Sequence, residues 1–238
     1  AGKNLAAIVM EPIHGVEPRD NFLKKVRRIA NETGAVLIFD EITVGWKLTH
    51  GGAHLMYGVN PDIAVFSKAI SNGYPMATII GTRKVMEAAQ NSFISSTYWT
   101  ERIGPVAALA TIKKMKRVNA PRRIKKTGGA VRAGWERLAA KHSLAVTVGG
   151  VIPISNFIFK SGKDSQALKT LFVQEMLDRG FLATNMFFAS CAHTDVHIKK
   201  YLHAVDEVFA VLAEAIRTET IHKRLRGPIA HTGFERLN

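Results

Sequence analysis

The chain has 238 residues, of which 47% are hydrophobic and 22% charged, with a single cysteine. Those proportions suit a globular chain of one or two domains and exclude a disordered tail, a collagen-like fibre and a coiled-coil rod, while the lone Cys191 excludes an internal disulfide framework and fits a reducing, cytoplasmic compartment. Lys and Arg number 33 against 19 Asp and Glu, and the resulting charge of +14 calls for an anionic partner without saying which.

The first half alternates strand-like and helix-like segments. Leu5 to Met10 is a short apolar run suited to a buried strand. Because Ala1 is not an initiator methionine and this run begins so early, the expectation is a chain cut from something longer. Asp20 to Thr33 carries Phe22, Leu23, Val26, Ile29 and Ala30 at helical spacing, with Asp20 as its cap and Gly34 as its stop. Ala35 to Phe39 is a second strand, ending in the acidic pair Asp40-Glu41, and a loop rich in Gly and His follows. Ile63 to Phe66 and Ala77 to Ile80 are the third and fourth strands, and Thr82 to Ala89 and Gly104 to Val118 are helices. This order predicts an α/β fold with a parallel sheet covered on both faces.

Pro121 then opens a long basic helix to about Lys141. Strands are expected at Ala145 to Val148, Asn156 to Phe159 and Phe181 to Thr184. An amphipathic helix covers Asp164 to Arg179, with Leu168, Leu171, Phe172, Met176 and Leu177 inward. Thr194-Asp195 caps a last helix whose stripe runs from Ile198 to Ile216. The second half therefore reads as a smaller α+β domain, with residues 1–119 and 120–238 as the two parts. No apolar run reaches the ~18 residues of a membrane span, so no membrane partner is expected.

Two positions stand out chemically. Asp40 closes the second strand and Lys68 follows the third, in Ser67-Lys68-Ala69. Ligands of open α/β sheets gather at the carboxyl ends of strands. A lysine among small apolar neighbours there would have its pKa lowered by desolvation and act as a nucleophilic amine. Taken singly, Asp40 is equally a turn residue and Lys68 a solvated lysine. Together they suit pyridoxal 5′-phosphate, whose aldehyde takes a lysine amine and whose ring nitrogen pairs with a carboxylate.

The surrounding words, Ile38-Phe39-Asp40-Glu41-Ile42, Gly58-Val59-Asn60-Pro61-Asp62-Ile63 and Ser67-Lys68-Ala69-Ile70-Ser71-Asn72-Gly73-Tyr74-Pro75, resemble the class III pyridoxal-phosphate-dependent aminotransferases. The branch they are most similar to holds the glutamate-1-semialdehyde 2,1-aminomutases. The resemblance begins at Met10-Glu11-Pro12 and extends to Ser190 and Ala192-His193-Thr194-Asp195. It implies a fold-type-I transferase: part of the large, mostly parallel-sheet domain followed by a small C-terminal α+β domain. It implies Lys68 as the Schiff-base lysine and proton shuttle, Asp40 at the ring nitrogen, Ile42 against the ring face and Thr43 near the ring hydroxyl. It also implies a homodimer with a shared active site, in which Thr100, or second Thr97, meets the cofactor phosphate of the neighbouring subunit. Amino-acid, keto-acid or amino-sugar substrates follow, and Arg102 is a candidate for a substrate carboxylate. The family's phosphate loop and ring-stacking aromatic have no counterpart in residues 1–238, so weak cofactor binding is expected of this chain alone.

Other signals have plainer readings. Eight basic residues and no acidic one lie between Lys113 and Lys126, which reads as a solvated helical face; a nucleic-acid patch lacks aromatic interleaving or any RNA-binding signature. His193 and His197 are read as capping and surface residues rather than metal ligands, Cys191 as a packed thiol, and Gly51-Gly52 as an entrance loop or a plain turn.

Overall fold

The computed structural model describes residues 4–95, 97, 98 and 100–233. It divides into two compact units, Ala1–Arg123 and Ile124–Asn238. In the first, the elements are β1 (Ala7–Met10), α1 (Phe22–Thr33), β2 (Val36–Asp40), β3 (Ile63–Phe66), β4 (Thr78–Gly81), α2 (Arg83–Met86) and α3 (Ile103–Val118). The sheet order is β1-β2-β3-β4. The first three strands are parallel, as their apolar runs predict, but β4 runs antiparallel to β3. The reason is the connection. Residues 67–77 hold only a single turn of 3₁₀ helix and the left-handed pair Asn72 and Gly73, which is too short for a crossover helix.

Cover over this sheet is uneven rather than complete. Alternate residues of β2 and β3 (Leu37, Phe39, Ala64 and Phe66) are buried, whereas Val9, Ile79 and Ile80 on the two edge strands are exposed. Leu23, Val26 and Ala30 of α1 pack with Leu37, Phe39 and Val59. Phe22 and Ile29, expected on that stripe, face solvent. The helix begins one residue later than predicted. Asp20 and Asn21 both adopt left-handed backbone, and neither caps α1 with its side chain. Gly34 does end it, at φ 73.

α4 (Ala120–Lys141) runs across the division. The second unit continues with β5 (Val146–Val151), β6 (Ile154–Phe159), α5 (Ser165–Asp178), β7 (Met186–Phe188), α6 (Asp195–Arg217) and α7 (Ile221–Arg224). Its three strands form an antiparallel sheet in the order β5-β6-β7. Phe157 sits at the centre of its core, with the rings of Trp135, Phe159, Phe172 and Phe209 at centroid distances of 4.9, 5.3, 5.1 and 5.9 Å. Trp135 Nε1 donates to the Tyr201 hydroxyl at 3.0 Å, which satisfies the buried indole.

The predicted strand at Phe181 to Thr184 is not formed. The Phe181 N–H is spent on Met176 O at the end of α5, and sheet pairing starts only at Met186, opposite Asn156. Cys191 is exposed, not packed, and Leu177 and Ile216 also face solvent. α6 starts as the sequence predicts. The Thr194 hydroxyl accepts from His197 N, and His197 Nδ1 accepts from Thr194 N, forming a reciprocal cap. All eight basic residues between Lys113 and Lys126 are exposed, and only Lys126 has a carboxylate partner among the described residues. Among the described residues no helix is long and apolar enough to cross a membrane.

Candidate active site

The candidate site forms where β2 and β3 end. Asp40 is the last residue of β2 and pairs in register with Val65. Its Oδ1 accepts the Ile42 N–H at 2.9 Å, a local turn that holds the carboxylate at the strand end. Among the described residues its other oxygen has no partner. Ile42 and Thr43 are half-buried on the same turn.

After β3, Ser67 is extended and Lys68 turns into left-handed backbone at φ 51. A non-glycine residue there costs about 1–3 kcal/mol and persists only when its surroundings hold it. Two serines do so. Ser67 Oγ donates to Met76 O at 2.8 Å, and Ser71 Oγ donates to Tyr74 O at 2.6 Å. The result aims Lys68 Nζ at Thr43 Oγ1, 3.1 Å away. The Lys68 side chain is exposed, so the desolvation expected from its apolar neighbours is absent. That burden falls on Lys47. Burial and then the charge of Lys68 lower the Lys47 ammonium to about 8. Lys47 Nζ donates to the carbonyl oxygen of Thr43.

A buried carboxylate fixes the intervening loop. Glu41 is wholly buried. Its Oε2 accepts the Ala53 N–H at 2.8 Å, and its Oε1 accepts the His54 N–H at 3.0 Å and the His54 ring at 2.7 Å. A carboxylate can only accept, so His54 carries its proton on Nδ1. The chain between Glu41 and Ala53, which bears Thr43 and Lys47, is thus closed at its base. Glycine is needed twice here. A Cβ on Gly45 would lie 2.7 Å from Glu41 O, and one on Gly52 would lie 2.3 Å from the His54 ring. In the sequence this closure shows only as a loop rich in Gly and His after the acidic pair Asp40-Glu41. Nothing in the sequence marked Lys47.

Asp40, Ile42, Thr43 and Lys68 are therefore brought together. Thr97 and Thr100 are exposed on the segment before α3, and among the described residues neither bonds to that group. Arg102 is exposed at the start of α3. The donor set fits pyridoxal phosphate: a carboxylate with one open oxygen, a primary amine, a hydroxyl beside that amine, and an apolar side chain on the same turn.

Residues 1–217 match the family described as aminotransferase class-III. The chain is 32% identical over 230 residues to a glutamate-1-semialdehyde 2,1-aminomutase from Ignicoccus hospitalis, covering 88% of this chain and 54% of that relative. It is also 32% identical, over 232 residues, to glutamate-1-semialdehyde 2,1-aminomutase 2 from Lysinibacillus sphaericus, covering 90% of this chain and 54% of that relative. The chain spans about half the length of the curated relatives it matches. Among solved structures, the FumI protein of Sphingopyxis sp. MTA144 in its PLP form superposes with a TM-score of 0.84 at 23% identity, over 91% of this chain and 54% of that one. An omega-transaminase from Sphaerobacter thermophilus gives 0.75 at 22%, over 89% and 52%. These likenesses confirm the α/β transferase fold.

Proposed function

Because this chain belongs to the class-III aminotransferases, we propose that it is the part of a pyridoxal-phosphate-dependent aminotransferase or aminomutase that carries the reactive lysine. The observation that supports this best is Lys68, strained into left-handed backbone just past β3, with its amine on Thr43 and the open carboxylate of Asp40 at the end of the neighbouring strand. Strain held by specific bonds marks positions where geometry is used.

Pyridoxal phosphate, when bound, supplies an aldehyde that condenses with amines and a ring that accepts the electrons of a broken C–H bond. Asp40 would hold a protonated ring nitrogen through Oδ2. Ile42 would lie against the ring, and the Thr43 hydroxyl would donate to the ring oxygen. Lys68 Nζ would be the attachment point; once free and neutral, it would take a proton from the substrate carbon and return it elsewhere. In this reading the active unit is a homodimer, and Thr100 or Thr97 of one protomer reaches the cofactor phosphate of its partner. Substrates are amino acids and keto acids, with amino sugars as the other donor class. The aminomutase relatives favour an amino-acid-derived substrate.

Borohydride reduction in the presence of pyridoxal phosphate tests this. The phosphopyridoxyl label should appear on Lys68 ahead of the exposed lysines, and Lys68→Ala should remove that site. Asp40→Ala should lower the Lys68 yield about tenfold through loss of a charge-assisted bond. A label spread evenly over surface lysines would refute the assignment.

A further inference from the structure

Lys47 has no part in holding the cofactor or moving the proton. It is half-buried on the loop closed by Glu41. Its ammonium reaches the carbonyl of Thr43, while Lys68 reaches the hydroxyl of the same residue. Two cations therefore meet at one threonine. Glu41 is committed to Ala53 and His54, and Asp40, whose Oδ1 takes the Ile42 N–H, makes no bond to Lys47. Among the described residues no carboxylate pairs with Lys47, and one carbonyl satisfies only one of its three donors. A partly buried ammonium without a counter-ion is costly, and an arriving anion offsets that cost.

We propose that Lys47 is a substrate-recognition residue that takes the carboxylate of an amino-acid or keto-acid substrate reacting at Lys68. This rests on the reading of Lys68 as the reactive amine. It moves carboxylate recognition from Arg102, exposed before α3, to the loop whose Thr43 already meets Lys68. The charged group that acts on it is Lys68 on the turn after β3; Asp40 and Glu41 at the end of β2 and His50 and His54 on the same loop are its titratable neighbours along the chain, and none of them bonds to it among the described residues. Free Lys47 loses its proton near 8, and a bound carboxylate raises that value. The carboxylate contact is therefore complete below pH 8 and weakens as pH rises through it.

Glyoxylate and glycolaldehyde test this without the cofactor. With either, Lys68 Nζ adds to the aldehyde carbon, water leaves, and cyanoborohydride reduces the iminium to a secondary amine. Only glyoxylate brings a carboxylate. The ratio of the two adducts at Lys68, divided by the same ratio at exposed Lys200, cancels intrinsic reactivity. We expect about a tenfold preference for glyoxylate at pH 7, falling above pH 8. Lys47→Met should remove the preference. Lys47→Arg should keep it and abolish its fall with pH, which a purely structural lysine would not do. If Lys47→Met disturbs folding, the arginine variant and the wild-type pH profile decide. An unchanged ratio in Lys47→Met, or a wild-type ratio flat across pH 8, overturns the proposal. So does a Lys47→Met variant that loses phosphopyridoxyl labelling but keeps the glyoxylate ratio, which would assign Lys47 to the cofactor. Absence of phosphopyridoxyl label on Lys68 in the wild type would strike the proposed function instead, and the glyoxylate ratio would still judge Lys47.

Discussion

Glu41→Gln perturbs the base of the active-site loop with almost no change of shape. The carboxylate receives three donors: Ala53 N–H at one oxygen, and His54 N–H and His54 Nδ1–H at the other. Glutamine has one carbonyl oxygen and one amino group. If its oxygen faces His54, the amino group meets the Ala53 N–H. If its oxygen faces Ala53, the imidazole can shift its proton and accept, but the His54 backbone N–H cannot. Either way one buried N–H is left without an acceptor, at about 1–3 kcal/mol, and the remaining bonds lose their charge assistance. Relief from burying a charge offsets part of this. The net cost is about 2 kcal/mol, which is roughly thirtyfold in local opening. Hydrogen exchange of the Ala53 and His54 amides reads it directly, and both should exchange roughly thirtyfold faster. His54→Asn, whose side-chain nitrogen stands near where Nδ1 does, should keep most of the protection that His54→Ala loses. A change below about threefold in Glu41→Gln would refute the view that this carboxylate closes the loop.

Phe157→Ala removes the ring at the centre of four others and should cost the second unit about 3–5 kcal/mol in denaturant unfolding; less than 2 kcal/mol would mean the core collapses into the space. Asp62→Asn tests the join between α1, β2 and β3, since Asp62 Oδ2 accepts both Arg27 Nη1 and Leu37 N–H at 2.8 Å. Burial alone would raise this carboxyl, but those two bonds together with the charges of Arg27 and Lys84 outweigh it and hold the pKa below its ordinary value. Its stabilisation, about 1–2 kcal/mol, is thus present above the unfolded carboxyl range and lost as pH falls through the folded value. Wild type and variant should differ at pH 7 and converge in acid; a gap that persists in strong acid would count against the ion pair.

Much of this protein is legible in one dimension because its cues are local. The apolar runs ending at Phe39 and Phe66 form β2 and β3 since buried parallel strands need only continuous hydrophobic residues. Thr194 announces the start of α6 because a cap is a contact three residues long. Asp40 and Lys68 could be paired from sequence since both follow such strands, and strands of one sheet bring their ends together.

What the sequence could not decide depends on where backbone groups spend their hydrogen bonds. Met176 takes the Phe181 N–H, which denies Phe181 to Thr184 its place as a strand. A short connection sends β4 antiparallel despite its parallel-like composition. Burial, too, is decided by the path of the chain. The small neighbours of Lys68 suggested a desolvated amine, yet its turn delivers that side chain to solvent, and the return of the Glu41 loop encloses Lys47. Composition along the chain specifies which residues prefer to be buried; only the folded path settles which amine loses its water, because desolvation comes from neighbours distant in sequence.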